Sequence, residues 1–203
     1  MLDCAQIGDF GSFVFLNALS MHTGDDGSAM LTALTKCDVW SWCYEIRNFN
    51  ASMTRESLDG VRSNGQTMSH SWGTGALSGI VHGIVGVQQT APAWATFTVK
   101  PLLASRLEFV NATVPTIRGP IVVAATPGRL SVSIPCNTQA VLCVQHAHTD
   151  DDGDNNRSVG LLLLDGAAVG VTRTEQHLCT APPVGCSAAP RVLSVSVRGE
   201  EYM

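Results

Sequence analysis

Charged residues are scarce in this chain, and no basic stretch stands out. The 203 residues contain 12 Lys and Arg against 17 Asp and Glu, and charged residues make up 14% of the total. The usual share is about 25%. An acidic balance argues against a nucleic-acid-binding protein, which would carry a basic face. So few charges favour a chain that covers much of its surface with a partner or with the rest of a larger protein.

Long apolar runs are also missing. The longest apolar segments, residues 80–87 and 161–164, are interrupted by Gly or end at Asp. Both fall short of the ~18 residues that a membrane-spanning helix needs. The opening Met-Leu-Asp-Cys lacks the basic and apolar regions of a signal peptide. We therefore expect no membrane partner.

Signatures of cofactor and metal chemistry are missing as well. The chain has no Gly-rich phosphate loop, no nucleophile elbow and no Cys-x-x-Cys pair. The acidic run at residues 150–155 lacks the spacing and the closing Glu of an EF-hand. His146 and His148 are too few for a zinc site. The sequence predicts neither a metal nor a cofactor.

The chain has seven cysteines, an odd number, and three Asn-x-Ser/Thr triplets. Cys179 and Cys186 flank a Pro-rich loop, where a disulfide could form; buried free thiols are the alternative. The triplets begin at Asn50, Asn111 and Asn156. Such triplets accept N-linked glycans and arise by chance, so they only slightly favour a secretory or extracellular location.

Helical periodicity dominates before about residue 90. The apolar pattern predicts a helix capped by Asp9, a second helix from Ser28 to about Arg47, and a third over about residues 74–87. Apolar residues surround the first helix almost completely, so we expect it to be buried between neighbours. The third helix carries a glycine at every fourth position: Gly75, Gly79 and Gly83. Glycine weakens a helix, and this stripe therefore predicts the close approach of another helix.

A period of two takes over after Pro92. Short apolar and β-branched runs separated by turn residues predict about seven strands, and hence an antiparallel β-sandwich. The runs lie at residues 96–100, 107–110, 121–124, 130–134, 140–144, 161–164 and 192–197. Asp165-Gly166 predicts a hairpin turn. The predicted fold is therefore α+β, with the end of a larger helical array in residues 1–91 and the sandwich in residues 92–203.

One carboxylate, one imidazole and one indole lie close together in the sequence, at Glu56, His70 and Trp72. A carboxylate can activate water, and an aromatic face packs on the apolar face of a sugar ring. Residues 48–70 are polar and irregular, as a functional loop would be. The three residues favour a sugar-cleaving pocket. From chemistry alone, a solvated loop glutamate beside a packed histidine and tryptophan is the alternative.

Ordered motifs add a family resemblance. Residues 52–59 read Ser-Met-Thr-Arg-Glu-Ser-Leu-Asp, and residues 68–75 read Met-Ser-His-Ser-Trp-Gly-Thr-Gly. In order and in residue pattern they resemble the acidic loop and the His-x-Trp motif near the end of α-L-rhamnosidases of glycoside hydrolase family 78. Further segments resemble the family in the same order, at residues 84–94, 97–101, 114–119 and 134–138. Six weak motifs in the family's order form a fairly specific signal over most of the chain.

The resemblance implies a fold and a mechanism. The fold would be the last helices of an incomplete (α/α)6 toroid followed by the closing sandwich. The mechanism would be inverting, with a base that activates water and an acid that protonates the leaving oxygen. By position, Glu56 would be the general base, and His70 and Trp72 would bind the sugar. Arg55 replaces an aromatic residue of the family next to the base; it is assigned to the substrate pocket, where it could favour the charged form of Glu56.

The resemblance also implies partners. The substrate would be a rhamnose-containing carbohydrate that loses its terminal α-L-rhamnose. The general acid belongs to a motif much earlier in the family's toroid, so the N-terminal part of the same enzyme would be the protein partner. We expect the 203 residues alone to be catalytically silent. The alternatives are a non-catalytic carbohydrate-binding or structural module, and a decayed gene product that does not fold alone.

Overall fold

The chain divides into two compact units, Met1–Ile84 and Val85–Met203. A computed structural model describes residues 8–21, 27–39, 41–56, 67–103, 106–145, 161–173, 177–181, 183–186 and 190–198. The boundary between the units follows Ile84, whereas the sequence places it after residue 91. The difference arises because the strand Val87–Gln89 pairs with Thr96–Val99 inside the second unit.

Helices form the described part of the first unit. They are α1 (Gly8–Met21), α2 (Ser28–Thr35), α3 (Trp42–Phe49) and α4 (Gly75–Gly79). A 3₁₀ turn, Ser71–Thr74, precedes α4, and a π-helical turn, Ile80–Ile84, follows it. The predicted first helix is confirmed, but it begins at Gly8, so Asp9 lies within its first turn and is not its cap as predicted. The predicted third helix starts at the expected place but changes its hydrogen-bond pattern twice and ends at Ile84.

The predicted single helix from Ser28 to about Arg47 is wrong, because the helix ends at Thr35 and a second helix begins at Trp42. Ser41 starts α3 afresh: its side chain accepts a hydrogen bond from the Tyr44 N–H at 3.1 Å. A Cys37–Cys43 disulfide closes the break. Ser28 does not cap α2 either, since the cap position is Gly27 with φ 97°.

The glycine stripe is where α1 packs against α4 and the π-helical turn that follows it; these two elements, with the preceding 3₁₀ turn, are called the third helical segment below. A β-carbon on Gly75 would stand 2.9 Å from the backbone N and Cα of Phe13. One on Gly79 would stand 2.9 Å from the Cβ of Leu16, which is fully buried. The predicted close approach of another helix along this stripe is confirmed.

The other face of α1 is open within the described part of the chain. Four of its apolar side chains are exposed: Phe10, Phe13, Val14 and Met21. The described residues therefore bury one face of α1 and leave this face exposed, where the sequence predicts further helices of a larger array. No helix among the described residues is long and apolar enough to cross a membrane.

Two β-sheets form the described part of the second unit. Its strands are β1 (Val87–Gln89), β2 (Thr96–Val99), β3 (Val110–Val114), β4 (Ile121–Thr126), β5 (Arg129–Ile134), β6 (Thr138–Gln145), β7 (Leu161–Leu164), β8 (Ala167–Ala168), β9 (Val171–Arg173), β10 (His177–Thr180), β11 (Val184–Cys186) and β12 (Arg191–Arg198). One sheet has the order β1-β2-β6-β10-β9, with β11 also paired to β6. The other has the order β3-β4-β5-β12-β7-β8.

The two sheets pack face to face, because β5 and β12 of one contact β6 of the other. Their inner faces hold fully buried side chains from both sheets: Phe97, Ile121, Ile134, Leu142, Leu178 and Leu193. The pairing is antiparallel throughout except between β2 and β6, which are parallel. The α+β class with a largely antiparallel sandwich is confirmed.

The turn predicted at Asp165-Gly166 is also confirmed. It joins β7 to β8, with φ 52° at Asp165 and 83° at Gly166. Positive φ at both central residues suits the twist of a two-residue hairpin. Neither alternative considered for Cys179, a disulfide to Cys186 or a buried free thiol, is what the structure shows. Cys179 pairs with Cys143 instead, since these residues face each other on β10 and β6.

Candidate active site

Two irregular segments of the first unit run side by side and form the site. The Glu56 N–H donates to the Thr67 carbonyl at 3.1 Å, and the His70 N–H donates to the Thr54 carbonyl at 2.7 Å. The Thr54 hydroxyl donates to the His70 carbonyl at 2.8 Å. These bonds fix the residues after α3 against the residues before the 3₁₀ turn. Glycine is required at position 73, where a β-carbon would stand 2.7 Å from the Arg55 carbonyl oxygen.

The carboxylate of Glu56 is held from one side by Thr67. Its Oε2 accepts hydrogen bonds from the Thr67 N–H at 2.8 Å and from the Thr67 hydroxyl at 3.2 Å. The backbone hydrogen bond is the largest influence and lowers the pKa of Glu56 below its ordinary value. Partial desolvation opposes it, while the Thr67 hydroxyl and His70 lower the pKa further. Glu56 is therefore ionised at neutral pH.

His70 lies on the far side of the same hydroxyl. Its Nδ1 is 2.6 Å from the Thr67 Oγ1 and 4.0 Å from the Glu56 Oε2. The hydroxyl has one proton, so when it donates to the carboxylate the His70 Nδ1 must donate to the hydroxyl. These hydrogen bonds therefore place a proton on Nδ1 of the imidazole.

The indole of Trp72 covers the imidazole. The ring centroids of His70 and Trp72 are 4.1 Å apart, with 37° between the ring planes. The Trp72 Nε1–H points to the Glu56 carbonyl at 3.4 Å, and the side chain remains 45% exposed. The structure thus brings together three of the residues predicted from the sequence, Glu56, His70 and Trp72. Thr67, which was not predicted, lies between Glu56 and His70.

Arg55 lies elsewhere. Its side chain is 2% exposed, forms an ion pair with the equally buried Glu45 of α3, and stacks on Phe49 at 5.3 Å from the ring centroid. Thr67 and His70, rather than Arg55, lower the pKa of Glu56. The expectation that Arg55 contacts substrate does not fit this placement, because the buried ion pair leaves the guanidinium no surface to offer a sugar.

A groove of about 510 Å³ begins at Trp72 and runs along α1 and the third helical segment. Its walls are largely apolar and include Phe10, Phe13, Leu77 and Val81. The Phe10 ring lies 6.4 Å from that of Trp72. The groove therefore continues from the aromatic side of the site.

Sequence reasoning missed Thr67 and Glu45. Thr67 carries a usable signal, because it immediately precedes the motif at residues 68–75 and stands three residues before His70, within reach of its side chain. Glu45 lies on the apolar face of the amphipathic helix α3, where a buried carboxylate needs an ion-pair or hydrogen-bond partner. No three His, Cys, Asp or Glu side chains of the described residues lie close enough to hold a metal ion. The acidic run 150–155 and His146 and His148 lie outside those residues.

One known protein family matches a segment of the second unit, outside the residues of this site. Residues 86–158 match the family described as the bacterial alpha-L-rhamnosidase C-terminal domain. A search of curated protein sequences gave no match.

Three solved structures share the fold. An alpha-L-rhamnosidase from Dictyoglumus thermophilum has a TM-score of 0.70 at 14% identity, over 93% of this chain and 20% of its own. The Streptomyces avermitilis alpha-L-rhamnosidase, solved with L-rhamnose, has a TM-score of 0.57 at 15% identity, over 80% and 15%. The Aspergillus terreus enzyme has a TM-score of 0.56 at 20% identity, over 65% and 16%.

The chain thus spans a fifth or less of each of these enzymes. The match at residues 86–158 and the shared fold agree with the resemblance carried by the sequence motifs. This chain is similar, in its sandwich sequence and in its overall fold, to the C-terminal part of an α-L-rhamnosidase.

Proposed function

We propose that this chain is the C-terminal part of an inverting α-L-rhamnosidase-like glycoside hydrolase and that Glu56 is its general base. One observation carries the proposal: a carboxylate kept ionised by Thr67 lies beside the stacked rings of His70 and Trp72. Glu56, His70 and Trp72 stand in the two motifs, residues 52–59 and 68–75, that resemble the family. An ionised carboxylate beside an exposed aromatic face is what a sugar-hydrolysing base site requires.

In this mechanism the free side of the Glu56 carboxylate takes a proton from water as the water attacks the anomeric carbon. The attack comes from the face opposite to the leaving oxygen, which gives inversion. The Thr67 hydroxyl, itself bonded to His70, keeps the carboxylate in one orientation. The exposed face of Trp72 packs on the apolar face of the rhamnose ring.

The general acid is supplied from outside these 203 residues, by the remainder of the same enzyme. An inverting pair of carboxylates stands about 6.5–9.5 Å apart, with room for water and substrate between them. The exposed apolar face of α1 supports such a partner, since Phe10, Phe13 and Val14 would be covered by further helices. Arg55 then has a structural role, holding the base segment against α3 through Glu45.

The proposal is tested in a chimaera. This chain replaces the matching segment of the Dictyoglumus thermophilum enzyme, and release of p-nitrophenol from its α-L-rhamnoside is measured. We expect Glu56→Gln to lower kcat by roughly 10²–10⁴-fold, the usual contribution of a general base. The matched control is Glu108→Gln, an exposed glutamate of the second unit, which should leave kcat unchanged.

Two outcomes would contradict the proposal. One is a Glu56→Gln chimaera as active as its parent, which would remove the base assignment. The other is release of p-nitrophenol by the pure 203-residue chain, since it would then hold both carboxylates. Rhamnose binding that survives both Glu56→Gln and Trp72→Ala would favour a non-catalytic carbohydrate-binding module instead.

A further inference from the structure

An aromatic ring, an amide and a hydroxyl alternate along the chain where β3 begins. They belong to Phe109, Asn111 and Thr113, while Val110 and Val114 between and after them are buried. Side chains in a strand alternate between its two faces, so residues two apart share a face. Asn111 and Thr113 are exposed, and Phe109 is 66% exposed. The three side chains therefore stand in a row on the solvent face of the sandwich.

This row borders a shallow groove of about 500 Å³ across the second sheet. Phe109 and Asn111 form one side of the groove. The outward-facing side chains of β4, β5 and β12 that line the rest of it are small or carry a hydroxyl, apart from the charged Arg129: Ala124, Thr126, Arg129, Ser131, Ser194 and Ser196. The strand order begins at β3, so this side of the groove lies at a sheet edge. Among the described residues, the Asn111 side chain has no hydrogen-bond partner and Phe109 has no aromatic neighbour.

We propose that Asn111 carries an N-linked glycan and that the ring of Phe109 packs on its first sugar. Asn111-Ala-Thr113 has the acceptor pattern for this modification, with no proline in the middle. The faces of sugar rings are partly apolar, and an aromatic ring two residues before the acceptor stands beside the attachment point. The groove beyond the row has space and hydroxyl groups for the sugars that follow.

The reaction needs only a lipid diphosphate-linked oligosaccharide as co-substrate. The Asn111 amide nitrogen forms a bond to the anomeric carbon of the sugar and gives up one proton, which passes to solvent or to the released diphosphate. The bond from that carbon to the diphosphate oxygen breaks, and the lipid diphosphate leaves with the electron pair. No oxidant or reductant takes part.

The cysteine chemistry supports the compartment that this reaction requires. Cys37 pairs with Cys43, and Cys143 pairs with Cys179. Disulfides persist in the oxidising lumen of the secretory route and are rare in the cytosol. N-linked glycans are added in that same lumen. The disulfides and the acceptor geometry are independent observations, and neither depends on the rhamnosidase proposal.

The chain holds an internal comparison at Asn50. Asn50-Ala-Ser52 also has the acceptor pattern, and Asn50 is exposed. However, Asn50 ends α3 with φ 49°, and the residue two before it is Asn48 rather than an aromatic residue. Asn50 therefore lacks the strand geometry that places an aromatic ring two residues before the acceptor on the same face.

A glycan at Asn111 would also protect the sandwich. It would cover the exposed Phe109 ring and the outer side of β3, an edge strand that could otherwise pair with another chain. The modification would thus raise the solubility of a chain that has few charges.

The first experiment tests occupancy. The full chain behind a cleavable secretory signal is translated in the presence of microsomes, and only protease-protected chains are analysed. Glycosidase treatment and peptide mass spectrometry then report each site. We expect sugar on Asn111, lost in both Asn111→Gln and Thr113→Ala. A protected chain that is unmodified at Asn111 overturns the proposal, whether or not Asn50 or Asn156 is modified.

The second experiment tests the role of Phe109. The glycosylated chain and its enzymatically deglycosylated form are melted, in the parent and in Phe109→Ala. We expect the glycan to raise Tm by roughly 1–5 °C in the parent, as one aromatic contact does in a chain of this size. The rise should disappear in Phe109→Ala. An equal rise in both proteins overturns the packing of the sugar on Phe109. Asn111→Gln, taken through the same enzymatic treatment, provides the control without the Asn111 glycan.

Discussion

At the scale of single residues, Thr67 does more than its place in the sequence indicates. Two of its groups donate to the same carboxylate oxygen of Glu56, and its hydroxyl also meets His70. We expect Thr67→Val, which keeps the shape but removes the hydroxyl, to raise the pKa of Glu56. The rise should be partial, because the backbone N–H of residue 67 is the larger influence and remains. A carbon-13 NMR titration of the glutamate carboxyl groups measures it.

The sign of the pH effect follows from the lowered pKa of Glu56. The hydrogen bonds to ionised Glu56 stabilise the folded chain at pH values above the ordinary glutamate pKa. This contribution to folding is lost as pH falls through the lower pKa that Glu56 has in the folded state. In the chimaera, the acid-side loss of activity should move to higher pH in Thr67→Val and stay in place in Thr67→Ser, which keeps the hydroxyl. A Thr67→Val profile that overlays its parent would show that the hydroxyl does not act on the base.

The sequence could predict the grouping of Glu56, His70 and Trp72, because the two motifs that contain them lie close together in the chain. It could not place Arg55. The partner that removes Arg55 from the surface is Glu45, ten residues earlier and on a helix. The ion pair depends on how the segment after α3 folds back against that helix, and no local sequence pattern predicts this path.

At the scale of helices, glycine spacing was the most informative signal. The stripe of Gly75, Gly79 and Gly83 predicted a close contact, and α1 packs against it. The break between α2 and α3 was not predictable from breakers, since residues 36–41 contain neither proline nor glycine. A disulfide and a serine cap end one helix and begin the next there. Each needs a geometry that composition does not reveal.

The stripe gives a stability prediction. In Gly75→Ala the new methyl group meets backbone atoms of Phe13, which cannot move aside without shifting α1. Residue 75 already has right-handed helical φ and ψ, so backbone conformation adds no penalty. We expect a loss of about 1–3 kcal/mol, as for other overpacked sites. Urea unfolding followed by tryptophan fluorescence reports it, because three of the four tryptophans lie in the first unit.

Gly83→Ala is the matched comparison for that loss. Its methyl group would stand 3.4 Å from the β-carbon of Ser20 and would collide with the flexible end of the buried Met30 side chain, so a side chain rather than a backbone has to move. We expect a smaller loss than at Gly75. If Gly83→Ala proved the more damaging change, the rigid contact would lie at the Met30 end of the stripe.

At the scale of the whole molecule, the change of period near Pro92 predicted the order of helices followed by a sandwich. It predicted neither the sheet order nor the parallel pair of β2 and β6. Strands of two to four residues, such as β8, β9 and β11, hold too few residues for a period of two to appear. Their pairing depends on the neighbours that the fold supplies. The Cys143–Cys179 disulfide was missed for this reason, since it joins strands that become neighbours only in the folded sheet.

That disulfide gives the last prediction. Cys143 and Cys179 are buried between β6 and β10 and are 36 residues apart in sequence. Closing a loop of this length restricts the unfolded chain, so replacing both with Ala should lower the free energy of unfolding by about 2–4 kcal/mol. Replacing Cys37 and Cys43, only 6 residues apart, should cost less for the same reason. Thermal melts followed by circular dichroism, with Cys136→Ser as the control for a free thiol, measure the difference. Peptide mapping that joined Cys179 to Cys186 would contradict both this prediction and the strand pairing, because Cys179 faces Cys143 only when β10 lies beside β6 in the observed register.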